Sequence, residues 1–520
     1  MKTFCRAHPM LLLLISAVLS ALPMTFSFLF FLSYVSFIPF FFVFLSQEKT
    51  GFWKSFFRAF FFGFCYHAAV YFWFLWLYPF DSVGFSKPVA AFVAALGWLG
   101  ASLIHGFLFS LIGAVSFLFK RLSLPRYLHG FGVILAFLGI EKLMEFSALA
   151  FPWVRVSLGQ YRAPVFIQSA SLWGVLGVDL LILTVNLLLT LFLLSEKKKK
   201  ILYGSAAAAL FFSNLIAGIV IVSLPEKKEN TLRVSLVQGS ILSGEKWTDG
   251  GFDLALETHF ALTREAAKEN PDLIVWAETA LPVRLDSSYQ SALREKMELL
   301  SGEVGCPILV GAFSAENGQL QNSAYLISEN TISKPYSKRQ LVPFGEYMPY
   351  RDFLTGIFPM LEKISQIEDD LAPGTSTALF DLNGEKIGAL ICYESIFPRL
   401  NRESVSDGAG MLGIITNDSW YEDSPAAAQH LAHAVFRCAE NRRDLFRCAN
   451  SGISALIRSD GVITGELGVL EKGVLTGTVS FSEGKTPYTV LGDSFLLFAL
   501  AVWLGFGIAS FLKERRKDGQ

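Results

Sequence analysis

Long apolar runs separated by short polar loops fill the first 224 residues, after which short apolar runs alternate with amphipathic stretches. The change of pattern predicts two kinds of structure. In the first part, seven runs at about 9–24, 27–46, 56–79, 88–119, 129–151, 164–194 and 201–224 come near or exceed the roughly 20 apolar residues of a bilayer-spanning helix. An eighth lies at about 489–512. The first run follows Lys2 and Arg6 as a signal-peptide core would, but no small-x-small cleavage site follows it, so it is read as a retained helix. Loops rich in Lys and Arg stay cytoplasmic. Those holding Lys2/Arg6, Lys49/Lys54/Arg58, Lys120/Arg121/Arg126, Lys197 to Lys200 and Lys513 to Lys517 alternate with poorer loops, which places both termini inside and residues 225–488 outside.

Between the seventh and eighth runs, strand-length segments are expected at 232–238, 273–277, 307–313, 324–327, 378–382, 387–392, 411–416, 445–448, 454–458 and 474–479. Helical periodicity marks 252–268, 287–303 and 425–443. Asn383-Gly384 and Asp460-Gly461, each between strand runs, are type I′ hairpin signals. The expected organisation is a seven-helix transmembrane domain (1–224), an extracytoplasmic α/β domain (225–488), and a last transmembrane helix with a basic cytoplasmic tail (489–520).

Composition sharpens this picture. Hydrophobic residues make up 52% of 520, too many for an ordinary soluble protein. A net charge of -1 leaves no basic surplus to neutralise phosphates, so nucleic acid is not an expected partner. The six cysteines show neither zinc-like spacing nor a dense framework, and no metal site or disulfide scaffold is expected. Runs such as Phe60-Phe61-Phe62 and Tyr71-Phe72-Trp73-Phe74 read as lipid-facing bulk and interfacial belts. One external loop, 151–162, places aromatics with Arg155 and Arg162 at the membrane surface, in reach of anionic headgroups.

The candidate chemistry lies at strand ends. The run 387–392 delivers Cys392 into the acidic turn Tyr393-Glu394-Ser395, where a neighbouring base or cation can hold a thiolate. Cys5, Cys65, Cys306, Cys438 and Cys448 read as packing thiols. The strand 273–277 ends at Glu278, and a Pro/Gly-marked loop carries Lys338 and Glu346. A carboxylate can take the thiol proton, a lysine can stabilise thiolate and oxyanion, and the thiolate can attack an acyl carbon without a histidine.

The order Glu, Lys, Cys resembles the nitrilase (carbon-nitrogen hydrolase) superfamily. That resemblance implies an αββα sandwich with Glu278 as general base, Lys338 facing the oxyanion, Cys392 as nucleophile and the Tyr393 N–H as second oxyanion donor. Over nearly its full length the chain resembles the membrane branch of apolipoprotein N-acyltransferases. Trp276-Ala277-Glu278-Thr279, Lys338 with Leu341 to Glu346, Cys392 to Ser395 and Thr416 to Trp420 carry the likeness. It implies a membrane α-helical bundle of about eight transmembrane helices joined to the sandwich, with Trp247, Glu346, Tyr393 and Glu394 as supporting residues and no cofactor. The implied reaction takes a fatty acyl chain from a glycerophospholipid onto Cys392 as a thioester. It then passes to the α-amine of the diacylglyceryl-cysteine of an apolipoprotein at the bacterial inner membrane. The sequence departs from that pattern at Ser240-Ile241-Leu242, Tyr421-Glu422 and Ser451. Two other readings stand beside it: a membrane-tethered amidase that delivers the acyl group to water, and a non-enzymatic binding protein or transporter. For a transporter, Glu141, Lys142 and Glu145 in the fifth run are the marked polar groups.

Overall fold

Helices occupy the N-terminal apolar part, and a two-sheet sandwich follows, in a computed structural model that describes residues 7–46, 50–78, 86–223, 230–246, 248, 250–357, 370–377 and 379–518. The helices are α1 (Pro9–Thr25), α2 (Ile38–Ser46), α3 (Phe52–Val70), α4 (Lys87–Arg121), α5 (Arg126–Leu143), α6 (Ala170–Leu194) and α7 (Lys197–Ser223). Pro9 and Pro88 stand in first turns, where a missing N–H costs nothing, and Lys120 and Arg121 close α4 where the helix dipole favours cations.

Every predicted apolar run contains helix, but several are interrupted. The 27–46 run divides into a 3₁₀ segment, Ser27–Tyr34, and α2, while the 56–79 run becomes α3 followed by a 3₁₀ turn, Tyr71–Leu77. The 164–194 run starts its helix only at Ala170 and kinks at Gly174, whose φ of +68° lies in the region that favours glycine. By length and composition, five helical segments among the described residues are long and apolar enough to cross a membrane: Ser27–Ser46, Phe52–Leu77, Lys87–Arg121, Ala170–Leu194 and Lys197–Ser223. Pro9–Thr25 and Ser494–Ser510 are shorter apolar helices.

The run 129–151 departs most. Its helix, α5, ends at Leu143, because Glu141, Lys142 and Glu145 enter a buried ion cluster rather than lipid. Arg155 Nη2 meets Glu145 Oε1 at 2.8 Å and Nη1 lies 3.6 Å from Glu141, while Lys142 pairs with Glu145 at 2.5 Å and Asp493 at 2.6 Å. Arg155 is therefore buried among carboxylates, which overturns the headgroup reading for that residue. Arg162 pairs with Glu466 of the sandwich at 2.9 Å.

The sandwich contains β1 (Thr231–Gln238), β2 (Leu273–Trp276), β3 (Leu281–Arg284), β4 (Ile308–Glu316), β5 (Gln319–Ser328), β6 (Thr331–Ile332) and β7 (Tyr336–Ser337) in one sheet, which β14 (Gly473–Ser480) completes. The second sheet is β8 (Leu379–Leu382), β9 (Glu385–Ile391), β10 (Met411–Thr416), β11 (Leu445–Ala449), β12 (Ser454–Ile457) and β13 (Ile463–Leu467). β1, β2 and β4 run parallel, as do β9, β10 and β11. These central strands are apolar on both faces, as parallel strands between layers require. In β10, Met411 and Ile415 pack toward the other sheet while Leu412 and Ile414 face the helices. Outside one sheet lie α8 (Gly251–Ala267) and α9 (Ser291–Val304); outside the other lie α10 (Pro398–Ser406) and α11 (Ala426–Asn441). The last helix, α12 (Ser494–Asp518), follows. The architecture is the expected αββα sandwich beside a helical bundle.

Asn383 (φ +56°) and Gly384 (φ +88°) form the tight β8–β9 turn as predicted. At Asp460-Gly461 the strands also form a hairpin, but the loop is wider: the last pair is Ile457↔Ile463, and Asp460 accepts from the Val462 N–H at 3.1 Å. The stretch 148–153 lies against the sandwich, with Tyr347 OH donating to Ala148 O (2.6 Å), Tyr393 OH to Ala150 O (2.5 Å) and Trp153 Nε1 to Gln429 Oε1 (2.7 Å).

Candidate active site

β9 ends at Ile391, paired with Ile415 of β10, and the chain turns at once into a 3₁₀ segment, Cys392–Ile396. Cys392 takes φ +51°, a left-handed conformation that costs a residue with a side chain about 1–3 kcal/mol unless its surroundings enforce it. Much of the enforcement comes from Glu394. Its carboxylate is fully buried and accepts from Ile391 N–H (2.8 Å), from Tyr336 OH (2.8 Å) and from Arg339 N–H (2.7 Å). One side chain thus fastens the cysteine turn to the loop that carries Lys338.

Glu278 follows β2 and Lys338 follows β7, so strand ends from one sheet present both toward Cys392, which the other sheet presents. Lys338 is 1% exposed, and its Nζ lies 3.1 Å from Glu278 Oε1 and 2.9 Å from Glu346 Oε1. Asn322 on β5 donates through one Nδ2 to the same two oxygens, at 2.7 and 2.8 Å. Glu278 Oε2 accepts from Asn417 N–H at 2.7 Å, and Glu346 Oε2 from Val342 N–H at 2.8 Å. Both carboxylates are thereby fixed at each oxygen.

The sequence-derived residues Glu278, Lys338, Glu346, Cys392, Tyr393 and Glu394 thus come together, whereas Trp247 lies outside the described residues. Neighbouring Lys246 is described: it is buried and donates to Thr279 Oγ1 at 2.9 Å. Burial lowers it to about 8, against the opposing pull of Glu278. Asn322, Asn417 and Tyr336 were not singled out from the sequence. The polar triplet Gln321-Asn322-Ser323 hid the first half of β5, leaving only 324–327 legible as strand.

Electrostatics set the resting state. Burial would lower the Lys338 ammonium, but the Glu278 and Glu346 carboxylates hold it well above an ordinary lysine. The Cys392 thiol is pushed far up, first by burial and then by Glu278, with Lys338 opposing. Cys392 is only 7% exposed, so the sulfur is not the exposed, ready thiolate that the turn suggested. Such surroundings disfavour ionisation of the sulfur.

Among the described residues one set could offer metal ligands: Cys392, Asp418 and His430, with ligand atoms within 4.8 Å of one another. The Arg447 guanidinium already stands there, 2.6 Å from Asp418 Oδ2 and 3.0 Å from His430 Nδ1. A positive charge in that place disfavours a second cation.

Two of the stretches that depart from the pattern have defined partners. Ser240 N–H donates to Asn450 O at 2.7 Å, Asn450 Nδ2 donates to Ile241 O at 2.6 Å, and Tyr421 packs its ring on Trp73 and Trp153. Asn450 also donates to Asn417 Oδ1 at 3.1 Å, one step from the Glu278 carboxylate.

Fold and site together define a cysteine-centred carbon-nitrogen hydrolase sandwich carried on an apolar helical bundle. Residues 233–486 match the carbon-nitrogen hydrolase family, and residues 16–188 match the apolipoprotein N-acyltransferase N-terminal domain. The chain is 31% identical over 465 residues to an apolipoprotein N-acyltransferase of Geobacter metallireducens, covering 84% of this chain and 87% of the relative. It is 31% identical over 472 residues to that of Brucella suis biovar 1, with 82% and 86% covered. The chain belongs to the apolipoprotein N-acyltransferase family. Among solved structures, a CN-hydrolase superfamily protein from Xanthomonas campestris aligns at 18% identity and TM-score 0.37 over 52% of this chain and 97% of its own. Nit3 from Saccharomyces cerevisiae aligns at 16% and 0.36 over 50% and 93%.

Proposed function

We propose that the protein is a phospholipid-dependent apolipoprotein N-acyltransferase in which Glu278, Lys338 and Cys392 act as the catalytic triad. The observation that carries this reading is the buried Lys338 ammonium held between two carboxylates beside a left-handed cysteine, on a bundle apolar enough to sit in the lipid that supplies the substrate. In the first half-reaction Glu278 takes the Cys392 proton as sulfur attacks the ester carbonyl of a glycerophospholipid. The oxyanion faces Lys338 and the Tyr393 N–H. Collapse forms the thioester and expels the lysophospholipid alkoxide, which takes the proton from Glu278. In the second half the α-amine of a diacylglyceryl-cysteine attacks the thioester and loses its proton to Glu278. The Cys392 thiolate leaves and regains that proton. Glu346 and Glu394 position Lys338 and the cysteine turn, while Tyr393 and Trp247 are the remaining supporting residues of the reading. The low exposure of Cys392 suits an intermediate that must wait for an amine without meeting water.

Intact-mass analysis after mixing with phospholipid tests this. An acyl adduct on Cys392 is expected, and a diacylated lipopeptide is expected to discharge it with the same mass gain on the peptide. Discharge to water alone would favour the amidase, and absence of an adduct would remove the thioester route.

The division into 1–224, 225–488 and 489–520, with the middle part periplasmic and both termini cytoplasmic at a bacterial inner membrane, rests on the alternation of basic loops. Reporter fusions at Lys228 and after Lys517 are expected to signal on opposite sides. A cytoplasmic signal at Lys228 would overturn the orientation.

A further inference from the structure

The cysteine turn has a second buttress that the Glu-Lys-Cys reading does not use. Ser395 Oγ donates to Cys392 O at 2.8 Å, and His430 Nε2 contacts both that carbonyl, at 3.2 Å, and Ser395 Oγ, at 2.9 Å. Cys392 O can only accept, so Nε2 serves it in the tautomer that carries the imidazole's proton on Nε2. The other ring nitrogen faces Asp418 Oδ1 at 3.0 Å and Arg447 Nη2 at 3.0 Å. Asp418 is in turn held by Thr416 Oγ1 at 2.9 Å and by Arg447 at 2.6 Å. His430, Asp418 and Arg447 are all at most 1% exposed.

We propose that His430 is a positioning residue for the acyl-transfer reaction: its Nε2–H holds the Cys392 carbonyl, and the Arg447 guanidinium, itself held by Asp418, donates to Nδ1 and holds the ring. The geometry supports a role beyond packing in three ways. First, the contact falls on the main chain of the one residue that has to stay left-handed for its sulfur to face Glu278 and Lys338. Second, Thr416 both binds Asp418 and contacts the Cys392 thiol, so one strand end sets the ring and the sulfur together. Third, Trp153 packs on the imidazole at 5.6 Å and Tyr421 lies edge-on at 6.4 Å, so aromatic rings wall the imidazole on that side. His433, one turn further along α11, binds Trp153 O at 3.1 Å and closes the same wall. Glu394 holds the Ile391 N–H, one peptide before the cysteine's own, and His430 the Cys392 carbonyl, so the chain is held on both sides of the strained residue.

The inference rests on Cys392 being the nucleophile, and two readouts separate failure of that reading from failure of this one. The first is the rate of acyl-enzyme formation by intact mass against phospholipid concentration; the second is the rate of Cys392 alkylation by iodoacetamide, located by peptide mass, across pH. The informative pair of variants is His430→Gln, whose amide can place a donor where Nε2 stood, and His430→Asn, whose amide reaches only the Asp418 side. His430→Asn is expected to slow acylation roughly 10²-fold, the scale set by a displacement of about 1 Å, with the phospholipid KM unchanged and a shifted alkylation pH profile. His430→Gln is expected to recover most of both. Equal losses in the two variants, or a wild-type acylation rate in His430→Asn, would refute the assignment. If His430→Asn does not fold, His430→Gln carries the test alone: an acylation rate within a few-fold of wild type is expected, and a loss of roughly 10²-fold, the scale of a displaced turn, refutes the assignment. Should the wild-type protein show no adduct, the catalytic reading fails while the alkylation profiles still judge the buttress.

Discussion

Cys392→Ala is expected to show no acyl adduct and no N-acylated lipopeptide, while the protein still inserts and folds. The side chain is small, and although its sulfur is nearly buried, the left-handed backbone is imposed by Glu394 and the surrounding turn rather than by the thiol. Loss of the sulfur is expected to cost stability about 1 kcal/mol, an ordinary value for a point substitution. Cys392→Ser should fail as well, because a hydroxyl in this buried, carboxylate-flanked place is even harder to ionise than the thiol. The checks are intact mass with phospholipid and a thermal unfolding curve. Product formation by Cys392→Ala would show that another group carries the acyl chain.

Glu278→Gln is expected to stop the reaction before the thioester, for reasons of charge and of hydrogen bonding. The charge is that of the proposed base. The hydrogen bonds matter because Glu278 is met by donors at both oxygens: Lys338 and Asn322 at one, the Asn417 N–H at the other. A glutamine offers one acceptor and one NH2, so one of those donors must confront another donor. Burial makes that confrontation costly, about 1–3 kcal/mol. Glu346→Gln meets the same conflict between Lys338 or Asn322 and the Val342 N–H, but it leaves Glu278 in place beside the ammonium. It is therefore expected to slow both half-reactions without abolishing either. Acyl-enzyme formation by mass, followed by addition of lipopeptide, distinguishes the two. Normal thioester accumulation in Glu278→Gln would transfer the role of base to Glu346.

Much of this was legible in the chain because local periodicity reports on burial directly. The doubly apolar runs at 273–276, 387–391 and 411–416 announce strands between layers, since only such strands exclude water on both faces. A cysteine, a lysine and a glutamate at the ends of irregular segments announce reactive groups, because each costs more to bury than an apolar residue does.

Residues whose meaning depends on a distant partner were silent. Asn322 bridges two carboxylates that lie 44 and 24 positions away, and Arg155 reads as a surface cation until Glu141 and Glu145 are seen around it. His430 shows nothing in an amphipathic helix that distinguishes it from His433, and its place behind Cys392 exists only because α11 packs over β9 and β10.

The sequence by itself determined the two-part composition, the strand ladder and the order of Glu278, Lys338 and Cys392, all of which follow from burial and local chemistry. Tertiary structure alone decided that the thiol is sheltered and its ionisation disfavoured, that the fifth apolar run ends in an ion cluster, and which polar side chains hold the cysteine turn. Those outcomes depend on which charges and donors the packing of separate elements brings within a few ångströms, and no periodicity along the chain encodes that distance.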